Sequence, residues 1–260
     1  MDTLLIQRRL RDLGLDPGPL DGDIGEKTRA AIIAFQKQQG LEADGVVGPK
    51  TLAALAPELS ATDALLTENI VRKVAPKARP DIVSGLVEGK ASLAAAGLVT
   101  KPRLAHFLAQ ICTETGGLRH LEENLNYSAK RLTEVFRKRF PTLEAAKPFA
   151  NNPEKLANKV YGGRLGNVEN GDGFRYRGGG LIQTTGRFNY EAAGFADRPE
   201  DLRKMPGALD AALVFWMTKG CNAFADKNDI VGLRKRVNGG KIGLEDARLF
   251  HGKAAIALGL

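Results

Sequence analysis

The residues of this chain best placed to do chemistry are two glutamates, Glu114 and Glu123, and the polar groups Gln183, Thr185 and Asn189 that follow a run of glycines. Glu114 closes a segment in which Leu104, Phe107, Leu108 and Ile111 recur at the i, i+3, i+4, i+7 spacing of a helix with one face in a core. Gly116-Gly117 ends that helix, because glycine enters left-handed backbone without a Cβ penalty. A carboxylate at a partly buried helix C-terminus loses solvation and meets the negative end of the helix dipole. Both effects favour its neutral form. Glu123 follows in the polar segment Glu122-Glu123-Asn124-Leu125-Asn126-Tyr127, where a carboxylate is solvated and charged. A neutral acid beside a charged base is the pair that acid-base cleavage of a glycosidic bond requires. The same residues equally suit a capped helix end followed by surface charge, since structural ion pairs also perturb carboxylates.

The glycine run lies in Gly171-Asp172-Gly173-Phe174-Arg175-Tyr176-Arg177-Gly178-Gly179-Gly180-Leu181-Ile182-Gln183-Thr184-Thr185. It lacks the G-K-[ST] ending of a phosphate-binding loop, and three successive glycines do not fit a dinucleotide fingerprint. Leu181 to Thr185 is predicted as a short strand, which would put Gln183 and Thr185 on one face. Glycines beside such a strand admit the close approach of a ligand or another backbone, or make a tight structural turn.

The elements that must position these groups belong to a chain of 260 residues, 43% apolar and 26% charged, long enough for one large or two smaller domains. No run of apolar residues is long enough to span a membrane. Met1 to Arg8 lacks a basic stretch followed by an apolar core, so no secretory signal is expected and synthesis is placed in the cytoplasm. Cys112 and Cys221 are expected as packed, reduced thiols. His106, His120 and His251 do not cluster at ligand spacing, and His106 is expected inside the core; no metal and no cofactor is assigned. Trp216, in an apolar helical pattern, is expected as core. The net charge of +8 is uneven: residues 1–60 hold 7 basic and 9 acidic side chains, residues 61–260 hold 31 and 21. A basic surface favours polyanions, among them nucleic acid, anionic lipid and the bacterial envelope. No aromatic-rich strand pair or helix-turn-helix pattern accompanies the charge, so nucleic acid ranks low. The short, uncharged tail from Ala254 to Leu260 gives no sign of membrane disruption or stable membrane insertion.

The first sixty residues or so contain a repeat. Asp21 to Ala31 and Asp44 to Ala54 both read D-G-x-x-G-x-x-T-x-x-A, with Asp-Gly and the second glycine making a tight turn before a helix. Leu4, Ile6, Leu10 and Leu13 mark a preceding helix, and Ala30, Ile33, Ala34 and Phe35 the inward face of the one between. This three-helix module, from Leu10 to Thr51 in particular, resembles the type 1 peptidoglycan-binding domain, in which a shallow groove near the repeated turns holds wall polymer. Asp21, Gly22, Asp44 and Gly45 are expected as turn formers rather than ligands. The domain is set at 1–57, a Pro- and Ser-bearing linker at 58–65, and the remainder at 66–260. In the remainder, two helices are predicted over Leu65 to Val99, and another over Ser128 to Phe140.

Four ordered motifs, Ala109 to Leu118, Glu123 to Ser128, Gly171 to Tyr190 and Val237 to Gly240, resemble family 19 glycoside hydrolases in their short endolysin and chitinase form. The resemblance implies a mainly α fold: a small three-helix wall-binding domain, then a two-lobed, lysozyme-like helical catalytic domain with a small β-sheet. It implies Glu114 as general acid, Glu123 as general base and Thr185 as holder of the attacking water. Gln183, Asn189, Tyr127, Asn238 and Arg248 are implied to bind substrate. Two departures stand out. The family's G-R-G is Gly178-Gly179-Gly180, and the Asp-Arg pair after N-G-G is spaced as Asp246-Ala247-Arg248, so the arginine supporting the acidic pair is either missing or supplied by Arg248. The expected activity is inverting cleavage of the β-1,4 bond between N-acetylmuramic acid and N-acetylglucosamine by a monomeric phage endolysin. Bacterial peptidoglycan would be its partner, reached in the periplasm and cell wall through a holin-type protein. The alternatives are a chitinase or chitosanase-like enzyme, and a wall-binding protein without turnover.

Overall fold

The computed structural model describes residues 3–55 and 65–260; the linker expected at 58–65 therefore lies, apart from Leu65, outside the described residues. The fold is mainly helical, as expected. It groups into two compact units, one of Met1–Val74, Leu86–Ala109 and Lys219–Leu260, the other of Ala75–Gly85 and Gln110–Thr218.

In the first unit, helices Thr3–Asp12, Glu26–Gln38 and Pro49–Leu55 enclose Ile6, Leu10, Ala31, Ile32, Phe35 and Leu55. The repeated turns are each locked by a buried glutamine on the preceding helix. Gln7 donates to Asp21 Oδ1 (2.9 Å), the Asp23 carbonyl (2.8 Å) and Thr28 Oγ1 (3.1 Å), and accepts from the Gly22 amide (2.9 Å). Gln36 makes the same set with Asp44 (2.8 Å), the Val46 carbonyl (2.9 Å), Thr51 (3.1 Å) and the Gly45 amide (2.9 Å). Asp21 and Asp44 also accept the amides two residues on, so they are turn formers, as expected. The inward face of the middle helix is Thr28, Ala31, Ile32, Phe35 and Gln36, so of the expected Ala30, Ile33, Ala34 and Phe35 only Phe35 is buried; Ala30 and Leu13 are exposed. Buried polar residues that serve the turns rotate the helix, and a hydrophobic pattern does not register them.

Between Leu65 and Val99 three helices form rather than two: Glu68–Val74, Pro80–Glu88 and Lys90–Ala95, with Gly89 between the last pair. Lys101–Glu114 follows, with Pro102 in its first turn, where a missing amide hydrogen costs nothing. Leu104, Phe107, Leu108 and Ile111 are buried as the spacing predicts, and so are His106, Gln110 and Cys112, which makes this a helix enclosed on all sides. It ends where expected: Gly116, Gly117 and Leu118 all adopt left-handed backbone (φ 60°, 83° and 60°), and the Gly117 amide closes onto the Cys112 carbonyl at 2.7 Å. Left-handed backbone costs a leucine about 1–2 kcal/mol. Leu118 offsets this with a fully buried side chain and an amide bonded to Thr115 Oγ1 at 2.8 Å.

In the second unit, Ala129–Val135, capped by Ser128, is shorter than the predicted Ser128 to Phe140 helix; Phe136 leaves the helix to pack edge-on between Tyr127 and Phe140. Leu125, Leu132, Phe140, Leu156 and Val160 form one core cluster, and Tyr176, Tyr190, Phe195, Leu202 and Ala211 another. The expected sheet is absent among the described residues. Only the isolated antiparallel bridges Glu122 to Gly179 and Gly179 to Thr184 form, because left-handed backbone at Gly180 and Gln183 folds the segment into a turn. Trp216 is core, as expected, and Cys112 and Cys221 are buried free thiols, burial pushing the Cys221 thiol up to about 12.

His106 is also core. Its Nε2 lies 2.9 Å from Asn228 Oδ1 and its ring 4.1 Å from that of His251, with Asp229 nearby. Burial, then the His251 charge, lowers its pKa from 6.5 to about 4. The folded state thus refuses a proton that the unfolded chain accepts. This contribution to stability is full above pH 6.5 and is lost as pH falls towards 4, by at most about 3 kcal/mol. Urea unfolding followed from pH 7 to pH 4 should show a steeper loss for the native chain than for His106→Gln; parallel curves would refute the assignment.

Candidate active site

Glu123 is fixed at both oxygens. Its Oε1 accepts the Gly178 amide at 2.6 Å and its Oε2 accepts the Tyr161 hydroxyl at 2.7 Å, while its own amide donates to the Gly178 carbonyl at 3.0 Å. Burial, and then the Glu123 carboxylate itself, raise the Tyr161 pKa well above the usual tyrosine range, so the phenol stays a donor. Tyr161 closes helix Pro153–Tyr161 and was not singled out in the sequence; nothing local to Asn158 to Gly162 marks it.

The first glycine of the run opens the space around this carboxylate. A methyl group on Gly178 would stand 3.2 Å from Glu123 Oε1, from Gln183 Oε1 and from Thr185 Oγ1 alike. Three of the predicted site residues therefore converge on one small volume. They do so from a turn, with Gln183 at φ 53°, and not from the expected strand. Thr185 donates its hydroxyl hydrogen to the Gln183 carbonyl at 3.0 Å, which leaves its oxygen lone pairs to accept. Asn189 Nδ2 braces the Thr185 carbonyl at 2.7 Å from an exposed position on helix Arg187–Ala192. A water between Glu123 Oε1 and Thr185 Oγ1 could give one proton to each and turn a lone pair outward.

The second glycine explains the departure from G-R-G. A Cβ at Gly179 would meet Arg203 Cγ at 2.6 Å and the Tyr190 hydroxyl at 3.0 Å, so an arginine cannot start there. Arg203 crosses the glycine instead and donates to the Tyr190 hydroxyl at 2.7 Å and to Glu200. Tyr190 passes its own proton to the Arg177 carbonyl at 2.7 Å. Burial pushes the Tyr190 phenol up to about 12 against the pull of Arg203. Arg177, nearly buried, pairs with Glu122 and lies 4.1 Å over the Phe174 ring. Arg177 thus pairs with Glu122, directly before Glu123, and not with either glutamate of the expected acidic pair. Glu122 is engaged with that arginine.

A second ion pair holds the rim. Arg187 donates to both oxygens of buried Asp172 (3.0 and 2.7 Å) and lies 3.0 Å from Glu169. Burial alone would raise the Asp172 pKa, but the Arg187 guanidinium and the Glu169 amide outweigh it and hold the carboxyl below the ordinary range. Asn167 links this pair to the helix end that carries Tyr161: it accepts the Arg187 amide at 2.8 Å and donates to the Tyr161 carbonyl at 3.0 Å.

Glu114 lies at the end of its helix, partly buried, with Oε1 shielded from solvent. Tyr127 is half-buried against Phe136. Asn238, exposed at the end of helix Ile230–Asn238, and Arg248, paired with Glu245 at 3.2 Å on helix Leu244–Leu258, belong to the first unit. Among the described residues no group of His, Cys, Asp and Glu is arranged to hold a metal ion.

Residues 2–55 match the family model of the peptidoglycan binding domain. A glycosyl hydrolase family 19 domain-containing protein of Haemophilus influenzae is 40% identical over 176 residues, covering 64% of this chain and 86% of that protein. The N-acetylmuramoyl-L-alanine amidase CwlM of Mycobacterium tuberculosis is 38% identical over 81 residues, 29% of this chain and 20% of its own length.

Two substitutions test the geometry. Tyr161→Phe removes one charge-assisted hydrogen bond and should lower kcat about tenfold to a hundredfold with unchanged thermal unfolding. Gly178→Ala inserts a methyl group into the shared volume and should lower kcat by about a hundredfold. Native turnover in both variants would show that this volume is not where the reaction occurs.

Proposed function

The chain belongs to glycosyl hydrolase family 19, and on that premise we propose that it is a peptidoglycan hydrolase cutting the β-1,4 bond between N-acetylmuramic acid and N-acetylglucosamine. The observation that carries the reading is the convergence of Glu123, Thr185 and Gln183 on the space left by Gly178. In this mechanism Glu123 takes a proton from a water held by Thr185, and Glu114 protonates the leaving glycosidic oxygen. Gln183 and Asn189 orient the sugar, with Tyr127, Asn238 and Arg248 as further substrate contacts. Attack by water on the face opposite the leaving group inverts the anomeric centre, which requires carboxylates roughly 6.5–9.5 Å apart.

The wall-binding module supports peptidoglycan over a plain glycan. Tethering the glycosidase, residues 66–260, to the wall raises its local concentration there even where each site is weak. The basic excess of residues 61–260 suits an anionic envelope. The reading extends to an endolysin: a monomer made in the host cytoplasm, passed to the wall by a holin-type protein and acting in the periplasm.

Purified sacculi treated with the protein and reduced with borohydride should yield muramitol at the new chain ends, and Glu114→Gln and Glu123→Gln should each lose about 10² or more in rate. Glucosaminitol would move the scissile bond. Turnover of N-acetylglucosamine oligomers but not sacculi would make the enzyme a chitinase, and full activity in Glu114→Gln would remove that residue from the mechanism.

A further inference from the structure

The two turns of the N-terminal module are alike in their hydrogen bonds and unlike in what lies outside them. In the first, Asp21 lies fourteen positions after Gln7; in the second, Asp44 lies eight positions after Gln36. The longer connection folds back over its own turn. The Pro17 carbonyl accepts from Thr28 Oγ1 at 2.8 Å, Asp16 pairs with Lys27 at 3.4 Å, and Gly18 packs against the Lys27 stem. A cavity of about 270 Å³ remains there, bordered by Asp21, Asp23 and Glu26, with the one bordering cation, Lys27, already paired.

Among the described residues the second turn has no such cover. Its cavity is about 480 Å³, with Leu41 and Val46 as apolar wall and Glu42 and Lys50 among its lining residues. Both charged side chains are exposed, and neither joins an ion pair among the described residues. Two opposite charges facing one open cavity without meeting complement a ligand that carries both signs. Asp44 is committed to the turn through Gln36 and the Val46 amide, so Glu42 is left as the acceptor for an ammonium group.

We propose that the cavity beside the second turn, and not its counterpart beside the first, is the wall-recognition site, and that it takes the zwitterionic amino-acid end of a peptidoglycan stem peptide. Lys50 receives the carboxylate, Glu42 receives the ammonium, and Leu41 and Val46 cover the aliphatic chain that carries both. The assignment rests on the wall-degrading reading above and names what its binding module reads: peptide, not sugar. It also gives the duplication a consequence. One copy keeps the larger cavity, with both charges unpaired among the described residues, and in the other the longer connection narrows the cavity and pairs its lysine.

The test is co-sedimentation of the full chain with insoluble peptidoglycan, and separately with glycan strands stripped of their stems. Lys50→Glu and Glu42→Lys should each weaken retention on whole peptidoglycan about tenfold, equivalent to ~1.4 kcal/mol. Lys27→Glu at the first turn should leave it unchanged, and stripped glycan should retain the native chain about as poorly as the variants are retained on whole wall. Hydrolysis of soluble glycan by all three variants should match the native chain, so that a failed binding assay is not mistaken for a failed enzyme. Native retention of both Lys50→Glu and Glu42→Lys would overturn the choice of cavity, and equal retention on stripped glycan would overturn the peptide ligand. A native chain that hydrolyses glycan but sediments with neither material would overturn wall recognition by this module, leaving the glycosidase reading intact.

Discussion

Everything at the candidate site depends on one carboxylate being held at both ends. Glu123 is gripped by a backbone amide from the glycine run and by a tyrosine from the end of a helix, two segments far from it in the chain and from each other. A carboxylate with both oxygens engaged by donors has little freedom to rotate, which fixes the volume it shares with Thr185 and Gln183. The Gly178 amide can reach that oxygen because no Cβ stands in front of it. The three consecutive glycines are therefore three separate requirements: open space before Glu123 at Gly178, passage of Arg203 across Gly179, and left-handed backbone at Gly180.

Rigidity of this kind needs support beneath it, and the support is ionic. Arg177, Arg203 and Arg187 are all largely buried, each against at least one carboxylate, and Arg203 and Arg187 also against polar groups of the neighbouring segments. Of these only Arg187 with Asp172 is largely buried on both sides; such a pair adds little net stability, because desolvation consumes most of the attraction, but removing one partner leaves a costly orphan charge. Such pairs fix geometry more than they stabilise the fold. Asn167 bridges the Arg187 backbone to the helix end that presents Tyr161, so the Arg187–Asp172 pair and Tyr161 are connected through hydrogen bonds. The adjacent glutamates are separated in role by the same means: Glu122 is engaged with Arg177, while Glu123 is turned to the shared volume.

The N-terminal module uses neutral groups for a similar end. Gln7 and Gln36 each satisfy four partners of a tight turn from inside the domain. In a module with only a small apolar core, an amide that satisfies a whole turn specifies the fold at low cost in hydrophobic area. Because the turns are locked from within, their outer faces are free to differ, and the six-residue difference in the connections is where they do.

Much of this was legible in the sequence. The period of Leu104, Phe107, Leu108 and Ile111 located the enclosed helix, Gly116-Gly117 located its end, the repeated D-G-x-x-G-x-x-T located both turns, and the burial of His106 and Trp216 followed from apolar surroundings. These are local matters: periodicity and glycine conformation act over a few residues and leave a direct trace in the order of the chain. What the order of the chain could not carry was the identity of partners brought from afar. Tyr161 at Glu123, Arg203 across Gly179, Arg177 at Glu122 and Gln36 at Thr51 are contacts whose members obey no spacing rule. The predicted strand at Leu181 to Thr185 failed for the same reason. Alternation suited a strand, but the segment gives up extension to bring Gln183 and Thr185 round to one carboxylate, and that demand arises only in three dimensions. Sequence alone singled out candidate residues and located the end of the Glu114 helix; tertiary structure decided what holds each of them in place, because hydrogen bonds and ion pairs depend on distance in space and not on distance along the chain.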